Sequence, residues 1–187
     1  MRTGTIDVAR EREHDKHAVK ELALLIRKFD DASDDAFLAS ARSGDAELYL
    51  ADQGKGGLTI QSDASSGAAD ATAAKTLFSS GRFGRDGGDW LFHVGLWTPA
   101  DFREEFLAWY SIEHLPILLE CPTWDGCRFV EQQVADGCQF YAMHQLAERS
   151  ALDSEQRKAS RDTAWFKRLK AHDWFDEAFT RALYRRG

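Results

Sequence analysis

The stretch WYSIEHLPILLECPTW, residues 109–124, sets a carboxylate and an imidazole side by side in an otherwise apolar segment and follows them with Pro116. If the preceding ADFREEFLAWY is helical, a turn of about 100° per residue places Phe102, Phe106, Trp109 and Tyr110 on one stripe, and Glu113 lands in it. His114 falls on the flank of that stripe, near Leu107. Pro116 lacks the amide hydrogen that would continue the helix. The sequence therefore predicts a helix that stops at or just before Pro116, with Glu113 and His114 in its last turn.

Working outward, WLFHVGLW (90–97) reads as a strand before this helix and TWDGCRFVEQQV (123–134) as one after it. CQFYAMHQLA (138–147) is the partner of the latter across an Ala135-Asp136-Gly137 turn, and SEQRKASRDTAWFKRLKA (154–171) reads as one long amphipathic helix. DEAFTRALYRR (176–186) suits a closing strand, although its apolar spacing fits a helix equally. The first part of the chain follows the same order. ELALLIRKF (21–29) is a strand, SDDAFLASARSG (33–44) a helix with Ser33 as N-cap and Gly44 as its stop, and AELYLAD (46–52) a strand. A GKGG turn leads to its hairpin partner GLTIQSD (57–63), followed by SSGAADATAAKTLFSS (65–80) as an Ala-rich helix and GRFGRDGG (81–88) as a connection. Residues 1–18 are polar and unpatterned, as in a loose arm.

The organisation expected is an arm (1–18), a degenerate half (19–88) and a fuller half (89–187), the two halves offset by about seventy residues. A β-α-β-β-α-β unit packs both helices on one face of its sheet and leaves the other face bare. Two such units laid sheet to sheet cover those faces and make an α+β barrel.

Composition narrows the functional classes. The chain has 187 residues, 43% of them hydrophobic, with twelve Phe and six Trp, enough for a substantial core. A net charge of -7 argues against nucleic acid, whose phosphates need a basic surface. Cys121, Cys127 and Cys138 form no CxxC pair and suit a reducing compartment. The absence of a signal-peptide run or a long apolar span leads to the expectation of a cytoplasmic protein with no membrane partner.

The run EEFLAWYSIEHLPILLECPTWDGCRFV resembles the dimeric α+β barrel superfamily, and within it the EthD-like branch, in which a Trp-Tyr helix ends in an E-H-[IL]-P signature before a strand. The resemblance covers about residues 90–185, and its specific part is W-Y-x-x-E-H-L-P, Trp109 to Pro116. Residues 19–88 would be a degenerate tandem copy, since FLASARSGDAEL has no corresponding E-H-x-P. The superfamily includes cofactor-free monooxygenases, polyketide cyclases and dehydratases, lactone isomerases and some haem enzymes, so the resemblance implies a fold and a cavity rather than one reaction.

His114 heads the candidate catalytic residues, because imidazole moves protons near neutrality; the competing reading is a brace at the helix end. Glu113 would orient His114 or act as a base, or snorkel out to solvent. On the strand 90–97, alternation assigns Trp90, Phe92, Val94 and Leu96 to the helix-packed face and His93, Gly95 and Trp97 to the cavity, with Gly95 leaving room for a ligand. For His144 either face is open. Tyr110 would donate to an oxyanion, Trp97 and Trp124 would wall an aromatic ligand, and Arg128 would hold a carboxylate; each has an equally simple role in packing. His93, His114 and His144 would have to converge to bind a metal, and no ligand spacing demands it, so neither a metal nor another cofactor is expected.

The expected function is a cofactor-independent enzyme that uses proton transfer, as a lyase, cyclase or isomerase, on a small apolar aromatic or polyketide-like substrate. The alternatives are a cofactor-free monooxygenase of a phenolic substrate and a non-catalytic small-molecule binding barrel. A second copy of the chain is the one macromolecular partner left open.

Overall fold

The structure is a computed structural model that describes residues 23–42, 46–62 and 72–187. The first part runs β1 (Ala23–Phe29), α1 (Asp35–Arg42), β2 (Ala46–Ala51), β3 (Gly57–Ser62) and β4 (Thr72–Gly81). Next come β5 (Trp90–Thr98), α2 (Arg103–Trp109), a π-helical turn (Tyr110–His114), α3 (Leu115–Leu119), β6 (Trp124–Gln132) and β7 (Cys138–Leu146). The chain finishes with α4 (Glu155–Ala159), α5 (Ala164–Lys170) and β8 (Phe179–Arg186), which settles the last segment as a strand.

The strands close into one antiparallel barrel in the order β1-β3-β2-β8-β5-β7-β6-β4. Read by halves, this is β4-β1-β3-β2 joined to β8-β5-β7-β6, two ferredoxin-like sheets facing one another as an α+β barrel. One seam joins β2 to β8, where Tyr49 pairs with Arg186; the other joins β4 to β6, where Gly81 pairs with Gly126.

Alternation along the strands separates two cores. Leu24, Ile26, Tyr49, Leu58, Ile60, Leu91, Val130, Met143 and Tyr184 come from both halves and fill the barrel interior. Phe92, Leu96, Phe106, Trp109, Cys127, Phe129, Phe140 and Ala142 form the layer between the outer face of the second sheet and its helices. The interior is therefore packed. Buried side chains from both sheets occupy the space where a ligand cavity was expected, one of the two fillings that a barrel of eight strands allows, so that expectation is corrected.

Four local expectations are also corrected. Residues 72–81 form strand β4 rather than the end of an Ala-rich helix, because hydrogen bonding to β1 on one side and β6 on the other outweighs helix propensity. The remainder of that predicted helix, like the arm 1–18 and Gly44, lies outside the described residues. The cap of α1 is Asp34, whose carboxylate accepts from the Ala36 amide at 2.7 Å, while Ser33 bonds instead to Asp31. The segment 154–171 is two helices, since Thr163 starts α5 as a new N-cap by accepting from the Phe166 amide at 3.1 Å. Finally, the central helix does not end at Pro116. The π turn bonds the Leu115 amide to the Tyr110 carbonyl, which shifts the hydrogen-bond register just before the proline and leaves Pro116 in the tolerant first turn of α3.

The β4–β6 seam is close enough to require glycine on both sides. Gly81 has φ +73, and a Cβ there would run into the Asp125 carbonyl. Gly81→Ala is expected to destabilise the protein by more than about 2 kcal/mol, through left-handed backbone strain plus the clash. Urea denaturation measures it, and a loss below about 0.5 kcal/mol would show that the seam yields freely.

Candidate active site

A cavity of about 370 Å³ opens between the outer face of the second sheet and the helices that cover it, within the range of small-molecule sites. Phe92, Val94 and Leu96 of β5, His144 of β7 and Phe179 of β8 supply the sheet wall. Trp109, Tyr110, His114 and Leu118 line it from the central helix, and Phe166 and Phe175 from the C-terminal segment. Its deep end is aromatic and polar at once, since Tyr110, Trp124 and His144 are all buried there. Its outer part carries Arg157, Arg161, Lys170 and Arg181, with Asp176 as the one acid.

Hydrogen bonding at the deep end dictates where each proton sits. The Trp124 indole N–H, which can only donate, reaches His144 Nδ1 at 3.1 Å. Nδ1 is thus a bare acceptor, and neutral His144 carries its hydrogen on Nε2, 2.7 Å from the Tyr110 hydroxyl. Tyr110 oxygen accepts that hydrogen, so its own proton is not committed to His144. Protonating His144 would aim two N–H groups at one another. Burial, followed by the nearby His114 and Arg157, holds its pKa well below the usual imidazole value. Burial likewise raises the Tyr110 hydroxyl well above the usual phenol.

His114 is fixed differently. Its Nδ1 lies 3.3 Å from the Ser160 carbonyl, which only accepts, so Nδ1 carries the hydrogen and Nε2 keeps a free lone pair. That carbonyl is available because α4 ends at Ser160. The ring packs against Trp109 and Tyr110, with centroids 4.6 and 5.1 Å away. Burial, only partly opposed by the bond to Ser160, brings its pKa down to about 4. His114 is therefore a neutral imidazole at pH 7, offering a base on the cavity wall.

The structure brings His114, Tyr110, Trp124 and His144 together around this cavity. The other four sequence candidates lie elsewhere. Glu113 does not set the His114 tautomer; its carboxylate accepts from the Thr163 hydroxyl at 2.6 Å and ties the π turn to the start of α5. His93 is on the opposite face of the sheet, inside the barrel beside Tyr141 and Tyr184, with Nε2 unpartnered. Trp97 packs on the β6–β7 turn and donates to the Asp136 carbonyl at 3.1 Å. Arg128 lies over the Phe83 ring, 4.4 Å from its centroid. Gly95 makes room for Thr180 and Tyr141 rather than for a ligand. The three histidines accordingly do not converge, and among the described residues no three His, Cys, Asp or Glu side chains gather as a metal site.

Sequence reasoning missed the cationic outer wall. Arg157 and Arg161 stand four residues apart in an amphipathic run, a spacing that puts both on one helical face, and that signal was available.

The sequence matches no protein-family model and no curated protein. Among solved structures, it is similar to an uncharacterized ferredoxin fold protein related to antibiotic biosynthesis monooxygenases from Listeria monocytogenes, with 12% identity, a TM-score of 0.61, and coverage of 89% of this chain and 95% of that one. An anthrone oxidase-like protein aligns at 8% identity with a TM-score of 0.63, covering 90% and 92%. A heme-degrading enzyme from Listeria monocytogenes aligns at 12% identity with a TM-score of 0.59, covering 87% and 98%. At such identities the likeness establishes the ferredoxin-type barrel fold.

Buried neutral histidines make stability depend on pH. In the unfolded chain each titrates near its ordinary value of about 6.5, whereas burial lowers His93 to about 3 and His114 to about 4, and His144 well below normal. Between the unfolded and folded values the unfolded state binds the extra proton, so stability is full above pH 7 and falls as pH drops below 6.5. His93 alone is expected to remove roughly 2 kcal/mol by pH 5, with the other two steepening the loss. Urea denaturation at pH 7 and pH 5 reads this, and a flat profile would contradict the burial of these rings.

Proposed function

We propose that the chain is a cofactor-independent enzyme in which His114 Nε2 removes a proton from a small aromatic or polyketide-like molecule held in the cavity. The observation that carries the reading is the pairing of a free imidazole lone pair on His114 with a neutral Tyr110 hydroxyl one helical turn earlier, both on the cavity wall.

The chemistry follows from the proton inventory. His114 Nε2 takes the proton and becomes an imidazolium, still donating from Nδ1 to Ser160. The electron pair left behind delocalises onto the substrate's carbonyl or phenolic oxygen. Tyr110 is placed to donate to that oxygen, because it lines the cavity and accepts from His144, which leaves its own proton free to be given. His144 acts through Tyr110 as a positioning residue, since both of its nitrogens are engaged. An imidazolium with a pKa of about 4 when isolated gains from the anion formed beside it, which offsets the desolvation that depressed it. Returning the proton at another atom completes an isomerase, cyclase or lyase cycle.

A second reading is favoured by the monooxygenase-like and anthrone oxidase-like names among the structural neighbours. The same deprotonated intermediate would transfer electrons directly to dioxygen. A ring CH₂ becomes C=O, one oxygen atom entering the product and the other leaving as water. The W-Y-x-x-E-H-L-P run supports an EthD-like assignment, and the strand order shared by 19–88 and 89–187 supports a tandem origin for the chain.

Anthrone in D₂O separates these readings, with NMR following hydrogen exchange at the CH₂ and an electrode following oxygen. The intact chain is expected to accelerate exchange, and His114→Ala to slow it by roughly a hundredfold per folded molecule, the scale of a lost general base, with thermal unfolding followed on the same sample because the ring packs on Trp109 and Tyr110. Oxygen uptake in step with exchange selects the monooxygenase branch. A folded His114→Ala protein with undiminished exchange would remove His114 from the mechanism.

A further inference from the structure

The outer wall of the cavity concentrates positive charge in a chain whose net charge is -7. Arg157 on α4, Arg161 just beyond it and Arg181 on β8 reach the same cavity from two separate elements. None of the three forms an ion pair among the described residues. Arg157 is anchored, donating to the Leu152 carbonyl at 2.5 Å and lying 5.6 Å from the Phe92 ring centroid. Arg181 lies 4.9 Å from the centroid of Phe179. Burial, then the charges of Arg157 and Arg181, weakens the hold of Arg161 on its proton to about 10. The three guanidiniums repel one another, and Arg157 and Arg161 are in addition partly desolvated, a cost that an arriving anion turns into attraction.

We propose that the cavity's ligand is an aromatic carboxylate, its charge held by Arg157, Arg161 and Arg181 and its ring directed toward His114 and Tyr110. A carboxylate suits the planar guanidinium fork, and one anionic group suffices because the rest of the wall is apolar. Charge then orients the substrate: the anionic end stays at the accessible arginines, and the reacting end is delivered to the buried base. The assignment rests on the proposed reading of the cavity as the active site and adds to it the class of molecule bound.

The test uses 2-naphthoate and the uncharged 2-naphthalenemethanol, titrated calorimetrically into the full chain. The carboxylate is expected to bind at least about tenfold more tightly, the scale of one charge-assisted hydrogen bond, and its advantage should shrink as sodium chloride is raised. Arg161→Gln and Arg181→Gln, both at exposed positions, should each weaken naphthoate by about tenfold and leave the alcohol unchanged. Equal affinity for the two probes, binding of neither, or equal losses for both in the arginine variants would overturn the proposal. The two readings fail separately. A chain that prefers naphthoate but exchanges no proton keeps the anion site and loses the reaction, whereas exchange on anthrone without charge preference does the reverse.

Discussion

Burial of both faces of the second sheet is the constraint on which the rest depends. β5 and β7 must satisfy the barrel interior on one side and a helical layer on the other, so each is buried at nearly every position, polar residues such as His93, His144 and Gln145 included. The interior belongs to side chains from both halves and is full. The outer face is covered by short helices and broken turns, which cannot pack as continuously as strands. The cavity lies in that less regular layer, and the helix-facing residues of β5 and β7 become its wall.

The same layer explains why the helices are interrupted. The π turn brings Tyr110 and His114 onto the wall and carries the chain through Pro116. The break between α4 and α5 leaves the Ser160 carbonyl to hold His114 and gives Thr163 the double task of capping α5 and binding Glu113. Interruptions that cost backbone hydrogen bonds are thus reused as the contacts that orient the base. Trp124 performs a similar service from β6, because an indole that can only donate forces one tautomer on His144 and, through it, one orientation on Tyr110.

Charge is distributed on the same plan. The deep end of the cavity has no formal charge at neutral pH, since burial keeps two histidines, a tyrosine and a cysteine neutral. The cations stand at the outer part, where solvent can hydrate them. A gradient from cationic rim to neutral, polar interior orients a ligand without placing an unpaired ion in the core.

The sequence by itself determined the strands of the barrel apart from β4 and β8, the hairpins and the central helix, because alternation and helical period are local properties of the chain. It also singled out Tyr110, His114, Trp124 and His144, as polar or amphipathic groups set in apolar segments. Only the tertiary structure decided which face of each strand meets open space. His93 and His144 look alike in the sequence, yet the first is sealed in the barrel and the second lines the cavity, because strand pairing assigns faces. The fate of Pro116 was likewise not local, since the π turn that accommodates it lies among partners from α4 and α5. The arginine cluster joins residues from α4 and β8, segments that come together only when β8 closes against β5 and β2. Convergence of that kind depends on through-space pairing across the fold, which no spacing along the chain records.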